Sequence, residues 1–135
     1  MPKQTRSEKL KRLVNMQRHL EHMAENELAN TTHARREVLD SLDAVVDAIG
    51  SLSPVHQIFS SLYSTQISRL TVKDQHLQMQ QQIHESRMMR EKAKGDRLED
   101  NMREARNAEN READDTAIYD LIDQAMATRR RDDPV

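Results

Sequence analysis

The sequence predicts an all-α protein, a long antiparallel two-helix coiled-coil hairpin with a longer C-terminal arm. Charged residues make up 33% of the chain and aromatic residues 2%, a composition that suits a coiled coil better than a compact globule. Apolar residues recur at intervals of three and four, and the only strong break in this pattern is at residues 50–54. High charge is also typical of disordered chains, but the sustained periodicity favours helix.

The first predicted helix covers residues 5–50 of a single elongated domain. Thr5 and Glu8 fit a capping box, in which a hydroxyl and a carboxylate satisfy unpaired amides at a helix start. A heptad seam follows, and several of its positions are polar, so the predicted helix interface is partly hydrated. The predicted seam consists of Leu10, Leu13, Gln17, Leu20, Ala24, Glu27, Thr31, Ala34, Val38, Ser41, Val45, Ala48 and Leu52.

The predicted turn lies at residues 51–53. Gly50 can end a helix because glycine accepts a positive φ, and Ser53 and Pro54 suit the N-cap and first position of the next helix. Short connections of this kind usually join antiparallel neighbours.

The second predicted helix covers residues 54–130. Its apolar face begins with Val55, Ile58, Phe59, Leu62, Tyr63, Ile67 and Leu70. The next stretch, in which only Leu77, Met79 and Ile83 are apolar, can form helix but is expected to contribute little burial. A sparse seam then continues through Met88, Met89, Ala93, Leu98, Met102 and Ala105. Gly95 and Asp114 are candidate bends, and the alternative at Gly95 is a continuous helix that absorbs a glycine. Phe59 and Tyr63 either seal the hairpin core or form an exposed anchor for a partner.

The C-terminal part of the second helix is predicted to project beyond the first. A turn at 51–53 sets Leu20 near Glu85, ends the first arm opposite about residue 100 and leaves residues after Ala105 without a partner helix. An apolar stripe continues through Ile118, Leu121, Ile122, Ala125 and Met126, before Arg129, Arg130 and Arg131 at the helix end. An unpaired amphipathic helix is marginal in water, so this overhang predicts a binding partner.

Several function classes are disfavoured. The 21 basic and 23 acidic residues are interspersed, which does not favour nucleic-acid binding. The chain has no cysteine, His19 and His22 lack a third metal ligand, and two glycines cannot build a phosphate-binding loop. We therefore expect no enzyme activity, no cofactor and no metal.

Without a run of about 18 apolar residues or a signal-peptide core, we expect no membrane span and a cytoplasmic protein.

These features together resemble the FliJ/YscO family of flagellar and type III secretion export machines. The resemblance rests on the Leu10, Leu13 and Leu20 arm, the turn near the middle, and the charged tail from Arg97-Leu98-Glu99 through Glu109-Asn110-Arg111-Glu112 to Gln124-Ala125. It implies a stalk whose segments 5–20 and 98–126 enter the pore of the hexameric export ATPase. The implied contact residues are Leu10, Leu13, Leu98, Met102, Ile118, Leu121, Ile122 and Met126.

The resemblance also implies partners for the rest of the hairpin. Its body, with Phe59 and Tyr63, would contact the cytosolic ring of the export gate and export chaperones, holding the protein at the inner membrane. The chain alone is expected to be a monomeric rod. Two alternatives stay open: an export chaperone that sheathes a secreted subunit with the segment around Met88 and Met89, and a structural coiled coil that forms a parallel homodimer.

Overall fold

The computed structural model describes residues 3–51 and 54–132, and the only regular secondary structure in those ranges is α-helix. Helix α1 covers Arg6–Gly50, the short α2 covers Pro54–Ile58 and α3 covers Ser60–Asp132. The predicted all-α class is confirmed. Gly95 and Asp114 both lie within α3, which is helical on either side of each of them.

The N-terminus of α1 has the capping box that the sequence predicts. The Glu8 backbone N–H donates to the Thr5 hydroxyl oxygen, and the Thr5 N–H donates to the Glu8 carboxylate, both at 3.3 Å. Two of the amides that a helix start leaves unpaired are thereby satisfied, which fixes where α1 begins.

The C-terminus of α1 differs from the prediction. Gly50 does not have a positive φ, so the left-handed glycine end expected there is wrong. Instead the Ser51 N–H donates to the Ala48 carbonyl at 3.2 Å, a tightened last turn of the 3₁₀ type. Leu52 and Ser53, the rest of the predicted turn, lie outside the described residues.

The chain divides into two compact units. Unit 2 consists of residues 17–94, and unit 1 brings residues 1–16 together with residues 95–135. Each unit therefore contains part of α1 and part of α3, and the packing of each is described separately.

Unit 2 packs along one stripe of α1 and one stripe of α3. The least exposed positions alternate by four and three: Gln17, Glu21, Ala24, Leu28, Thr31, Arg35, Val38, Leu42 and Val45 on α1, and Tyr63, Ile67, Leu70, Asp74, Leu77, Gln81, His84, Met88 and Glu91 on α3. Ala24 and Val38 are the most deeply buried apolar residues of this unit, at 1% and 5% exposure. Polar residues thus occupy many positions of a regular heptad stripe.

Alternate positions of the predicted seam of α1, from Leu10 to Val45, lie in the packed stripe, whereas between them the packed residue is the one after the predicted one, as at Glu21. Gln17, Ala24, Thr31, Val38 and Val45 were placed correctly. Leu20 is 42% exposed, whereas the neighbouring Glu21 is 9% exposed. At Glu21 and Arg35 a long polar side chain takes the position that apolar character assigns to the preceding residue, whereas Leu28 and Leu42 pack in place of the predicted polar residues before them.

Several residues of the second predicted arm are also outside the packed stripe. Val55, Ile58, Leu62 and Met89 are exposed, contrary to the prediction. Met79 and Ile83 are exposed as expected, and Phe59, for which core and exposed positions were both open, is exposed as well. Phe59 interrupts the helix, so α2 and α3 replace one continuous helix from residue 54. The interruption ends the apolar face of α2 before the packed stripe of α3 begins at Tyr63.

The helix register in unit 2 is displaced from the prediction by about one turn. A register that sets Leu20 near Glu85 would place Gln17 near residue 88, but Gln17 contacts Glu91. Arg35 would lie near residue 70, but it contacts Asp74. The connection is longer than predicted, because α2 and Phe59 intervene before α3, and a longer connection moves every pairing towards the C-terminus.

Unit 1 contains the start of α1 and about the last half of α3. Its least exposed residues keep the same spacing: Ser7, Leu10 and Val14 on α1, and Gly95, Leu98, Met102, Ala105 and Glu109 on α3. The expectation that α3 loses its partner after Ala105 is wrong, because Glu109 contacts Ser7. Every residue from Asn110 to Asp132 is exposed.

Candidate partner-binding surface

A carboxylate of α3 caps the N-terminus of α1 in unit 1. The Ser7 N–H donates to Glu109 Oε1 at 3.0 Å, and the Ser7 hydroxyl donates to Glu109 Oε2 at 2.5 Å. Ser7 lies in the first turn, where its amide has no partner within α1, and it is only 6% exposed. A negative charge at this position also complements the helix dipole. The contact marks the last residue of α3 that packs in unit 1.

The Ser7 contact shifts the titration of Glu109. The Ser7 hydroxyl, then its backbone N–H, hold the pKa of Glu109 below its ordinary value, because both hydrogen bonds favour the ionised carboxylate. A carboxylate with a lowered folded-state pKa contributes stability above its unfolded pKa, and this contribution is lost as the pH falls through the folded pKa.

Acid should therefore destabilise the protein partly through Glu109. We expect Glu109→Gln to flatten the decline of the thermal midpoint between pH 5 and 3, since the variant has no carboxylate to protonate there. Glu112→Gln, which changes an exposed carboxylate one turn away, is the matched control and should retain the native pH profile. Identical profiles for Glu109→Gln and the native protein, followed by circular dichroism, would contradict the assignment.

The exposed segment 110–132, the C-terminal segment, has an apolar stripe. Its large apolar side chains are 48–67% exposed: Ile118, Tyr119, Leu121, Ile122 and Met126. Four of the predicted contact residues therefore lie together on an uncovered helix, within reach of a partner. This is the largest cluster of predicted contact residues that the described chain leaves exposed.

The other predicted contact residues of unit 1 lie where α1 and α3 pack together, and they differ in how exposed they are. Leu13 is 47% exposed on α1. Leu10, Leu98 and Met102 are half buried in the packed stripe of unit 1. These three side chains pack largely between α1 and α3. Leu13 therefore has more exposed apolar surface for a partner than any of them.

The aromatic pair near the interruption is divided between two environments. The Tyr63 hydroxyl lies 2.9 Å from His56 Nδ1, and the two rings are 5.9 Å apart, so Tyr63 joins α2 to α3. Tyr63 is half buried, whereas Phe59 is 46% exposed. Of the two aromatic residues, Phe59 therefore presents the larger fraction of its surface to a partner.

Polar contacts between α1 and α3 run along unit 2, and sequence reasoning missed them. Gln17 Nε2 donates to the Glu91 carbonyl at 3.1 Å and also to the Glu91 carboxylate. Further along, Arg87 donates to Glu27 at 2.8 Å. Three further contacts join His84 to Glu27 at 3.5 Å, Arg35 to Asp74 at 2.9 Å and Arg35 to Gln81 at 3.3 Å. The sequence did contain a signal for these contacts, because polar residues recur at seam spacing in both predicted helices.

These contacts also perturb one carboxylate of unit 2. The Gln17 side chain, followed by the nearby Lys94 and Arg87 charges, lowers the pKa of Glu91, although partial burial opposes the shift. Polar seam residues in coiled coils cost stability and specify alignment, because a slipped register leaves them unpaired. The contacts of unit 2 can therefore select one register.

The described residues contain no cluster of three or more potential metal ligands. Among them, no helix combines the length and apolarity needed to cross a bilayer. No protein-family model, no curated protein and no solved structure matches this chain.

Proposed function

We propose that this chain is a non-enzymatic component of a flagellar or type III protein export apparatus. In this role it is the stalk of the hexameric export ATPase and an escort for export chaperones. The observation that carries the proposal is the C-terminal segment, a helix with an exposed apolar stripe beside the packed start of α1. Such a stripe needs a partner to be stable in water. The sequence features that resemble the FliJ/YscO family suggest which partner that is.

The proposal includes an antiparallel coiled coil. It is supported in unit 2 by the order of the contacts, since the partner on α3 changes from Glu91 to Arg87 to Asp74 as α1 proceeds from Gln17 to Glu27 to Arg35. The regular alternation of buried positions by three and four gives further support. In unit 1, the C-terminal segment extends beyond the Ser7–Glu109 contact as the longer arm.

The proposed mechanism assigns different roles to the two units. Unit 1, with Leu13 and the apolar stripe of the C-terminal segment, enters the pore of the ATPase ring and biases its subunits towards the active arrangement. Mixed charge on the segment keeps this contact weak enough for turnover. The gate ring and export chaperones contact unit 2, where Phe59 is an exposed apolar anchor.

Hydrolysis measurements test the stalk role. The full chain should raise the hydrolysis rate of the export ATPase purified from the same organism, and a chain that ends at Glu109 should not. This truncation keeps Ser7 and Glu109 and, of the described residues, removes only exposed ones, so a loss of stimulation would not reflect loss of packing. Phe59→Ala, in the other unit, is the matched control and should stimulate normally. An unchanged rate with the full chain would rule out the stalk role.

A chaperone role is the second candidate. It is favoured by exposed apolar side chains on α3 in unit 2, where Met79, Ile83 and Met89 are each more than half exposed. Methionine adapts to varied partner surfaces, which suits a protein that covers an unfolded export substrate. A stable stoichiometric complex with a secreted subunit, and none with the ATPase, would favour this role over the stalk.

A further inference from the structure

One face of the C-terminal segment has a self-complementary order of side chains. The face is about 100° wide on a helix of 3.6 residues per turn. It consists, in order, of Arg111, Asp114, Ile118, Leu121, Ile122, Ala125, Arg129 and Asp132, all of them exposed. The spacings between these residues are the same when counted from either end.

The side chains of this face also complement those of a second copy that runs in the opposite direction. If two such helices lie antiparallel with Arg111 of one copy opposite Asp132 of the other, Asp114 lies opposite Arg129. At the centre, Ile118 then meets Ala125, and Leu121 meets Ile122. Opposite charges flank an apolar centre on both sides.

We propose that a second copy of this chain covers this face, through an antiparallel two-fold contact between residues 111–132 of each copy. The contact is isologous, so every pair occurs twice and four ion pairs form between the copies. A parallel arrangement would instead place Arg111 opposite Arg111 and Asp114 opposite Asp114. Charge complementarity therefore selects the antiparallel arrangement.

The side chains and the length of the segment both allow this contact. Within the described chain, Arg111, Asp114, Arg129 and Asp132 make no ion pair or side-chain hydrogen bond, so their charges are available to a partner. The overlap begins just after Glu109, the last residue that packs in unit 1. The packed residues of both copies consequently lie outside the overlap and do not obstruct it.

The contact should be weak and reversible. An overlap of 22 residues is about 33 Å long, and its apolar centre is a few side chains wide. Such a contact buries less than the roughly 800 Å² per partner that is typical of stable complexes. A partner with a larger complementary surface would displace the second copy. The inference does not depend on the export role, since the dimer forms from this chain alone.

Cysteine crosslinking tests the arrangement directly, because the native chain has no cysteine. Copies with Ile118→Cys and copies with Ala125→Cys, distinguished by isotope labelling, are mixed and oxidised. We expect a disulfide between the two kinds of copy and little within either kind. In the antiparallel contact, the two equivalent cysteines lie about 10 Å apart along the axis, beyond the reach of roughly 7 Å between Cα atoms. Disulfides between two Ile118→Cys copies, or none at all, would overturn the proposal.

Charge reversal provides an independent readout by sedimentation equilibrium at low salt. Asp114→Arg should weaken dimerisation by about tenfold, because two ion pairs become two repulsive contacts. Adding Arg129→Asp should restore the native dissociation constant, since the opposite charges face each other again. Asp120→Arg makes the same charge change on the opposite side of the helix and should have little effect. Equal weakening by Asp114→Arg and Asp120→Arg, or no rescue by the double variant, would contradict the proposal.

Discussion

Replacing Val38 by aspartate should lower the free energy of unfolding by about 3 kcal/mol, the largest effect we expect from a single substitution. Val38 is 5% exposed in the packed stripe of unit 2. A carboxylate there loses much of its hydration, and Arg35, the cation one turn away in the packed stripe, already pairs with Asp74. The thermal midpoint should fall by about 10 °C.

The same substitution on the exposed side of α1 is the matched control for Val38→Asp. Val46 lies in the same helix and the same unit but is 54% exposed, so Val46→Asp should cost less than about 1 kcal/mol. Both changes carry the same loss of helix propensity and the same added charge. Urea unfolding followed by circular dichroism measures the difference, and equal destabilisation would show that Val38 is not part of a packed interface.

Replacing Arg35 by alanine should destabilise the protein by about 1–2 kcal/mol. Arg35 donates to Asp74 and Gln81, and the side chains of Arg35 and Asp74 are 27% and 17% exposed. Truncating Arg35 leaves the Asp74 carboxylate partly buried without its cation, which is costlier than the loss of a surface pair.

A double-mutant cycle separates this contact from other effects of the substitution. Arg35→Ala and Asp74→Ala should show a coupling free energy of about 1 kcal/mol, because each substitution removes the partner of the other. Arg36→Ala, at an exposed neighbouring position, should change stability by less than about 0.5 kcal/mol and should not couple to Asp74→Ala. Additive effects of Arg35→Ala and Asp74→Ala would contradict the observed pairing.

The helix content of the chain could be predicted from its sequence because the responsible signals are local. The capping box of Thr5 and Glu8 needs only residues within one helical turn. The period of the seam is likewise visible in one helix at a time, and five of its positions in unit 2 were placed correctly: Gln17, Ala24, Thr31, Val38 and Val45.

The phase and register of the packing could not be predicted, since they depend on both helices at once. Taking Leu20 instead of Glu21 as the seam residue rotates the packed face of α1 by one residue. Apolar character favoured Leu20, but Glu21 is the buried residue. The interruption at Phe59 has no glycine or proline to signal it, yet it displaces the pairing by a turn. Nor did any local signal connect Ser7 to Glu109.

The candidate surface was predictable in part for the same reason. The stripe of Ile118, Leu121, Ile122 and Met126 follows from helical spacing, and these residues are exposed. Leu10, Leu98 and Met102 were expected to contact a partner, but their role in packing unit 1 depends on which residues of α1 and α3 meet. Helical spacing identifies an apolar face, and only the helix pairing decides whether that face is covered.

The central claim is that α1 pairs with α3 of its own chain. A short bismaleimide crosslinker applied to a dilute mixture of isotope-labelled and unlabelled chains, each with Gln17→Cys and Glu91→Cys, tests this pairing most directly. We predict crosslinks that join residues 17 and 91 within single chains, as the contact between Gln17 and Glu91 requires. Crosslinks found only between labelled and unlabelled chains would contradict the account.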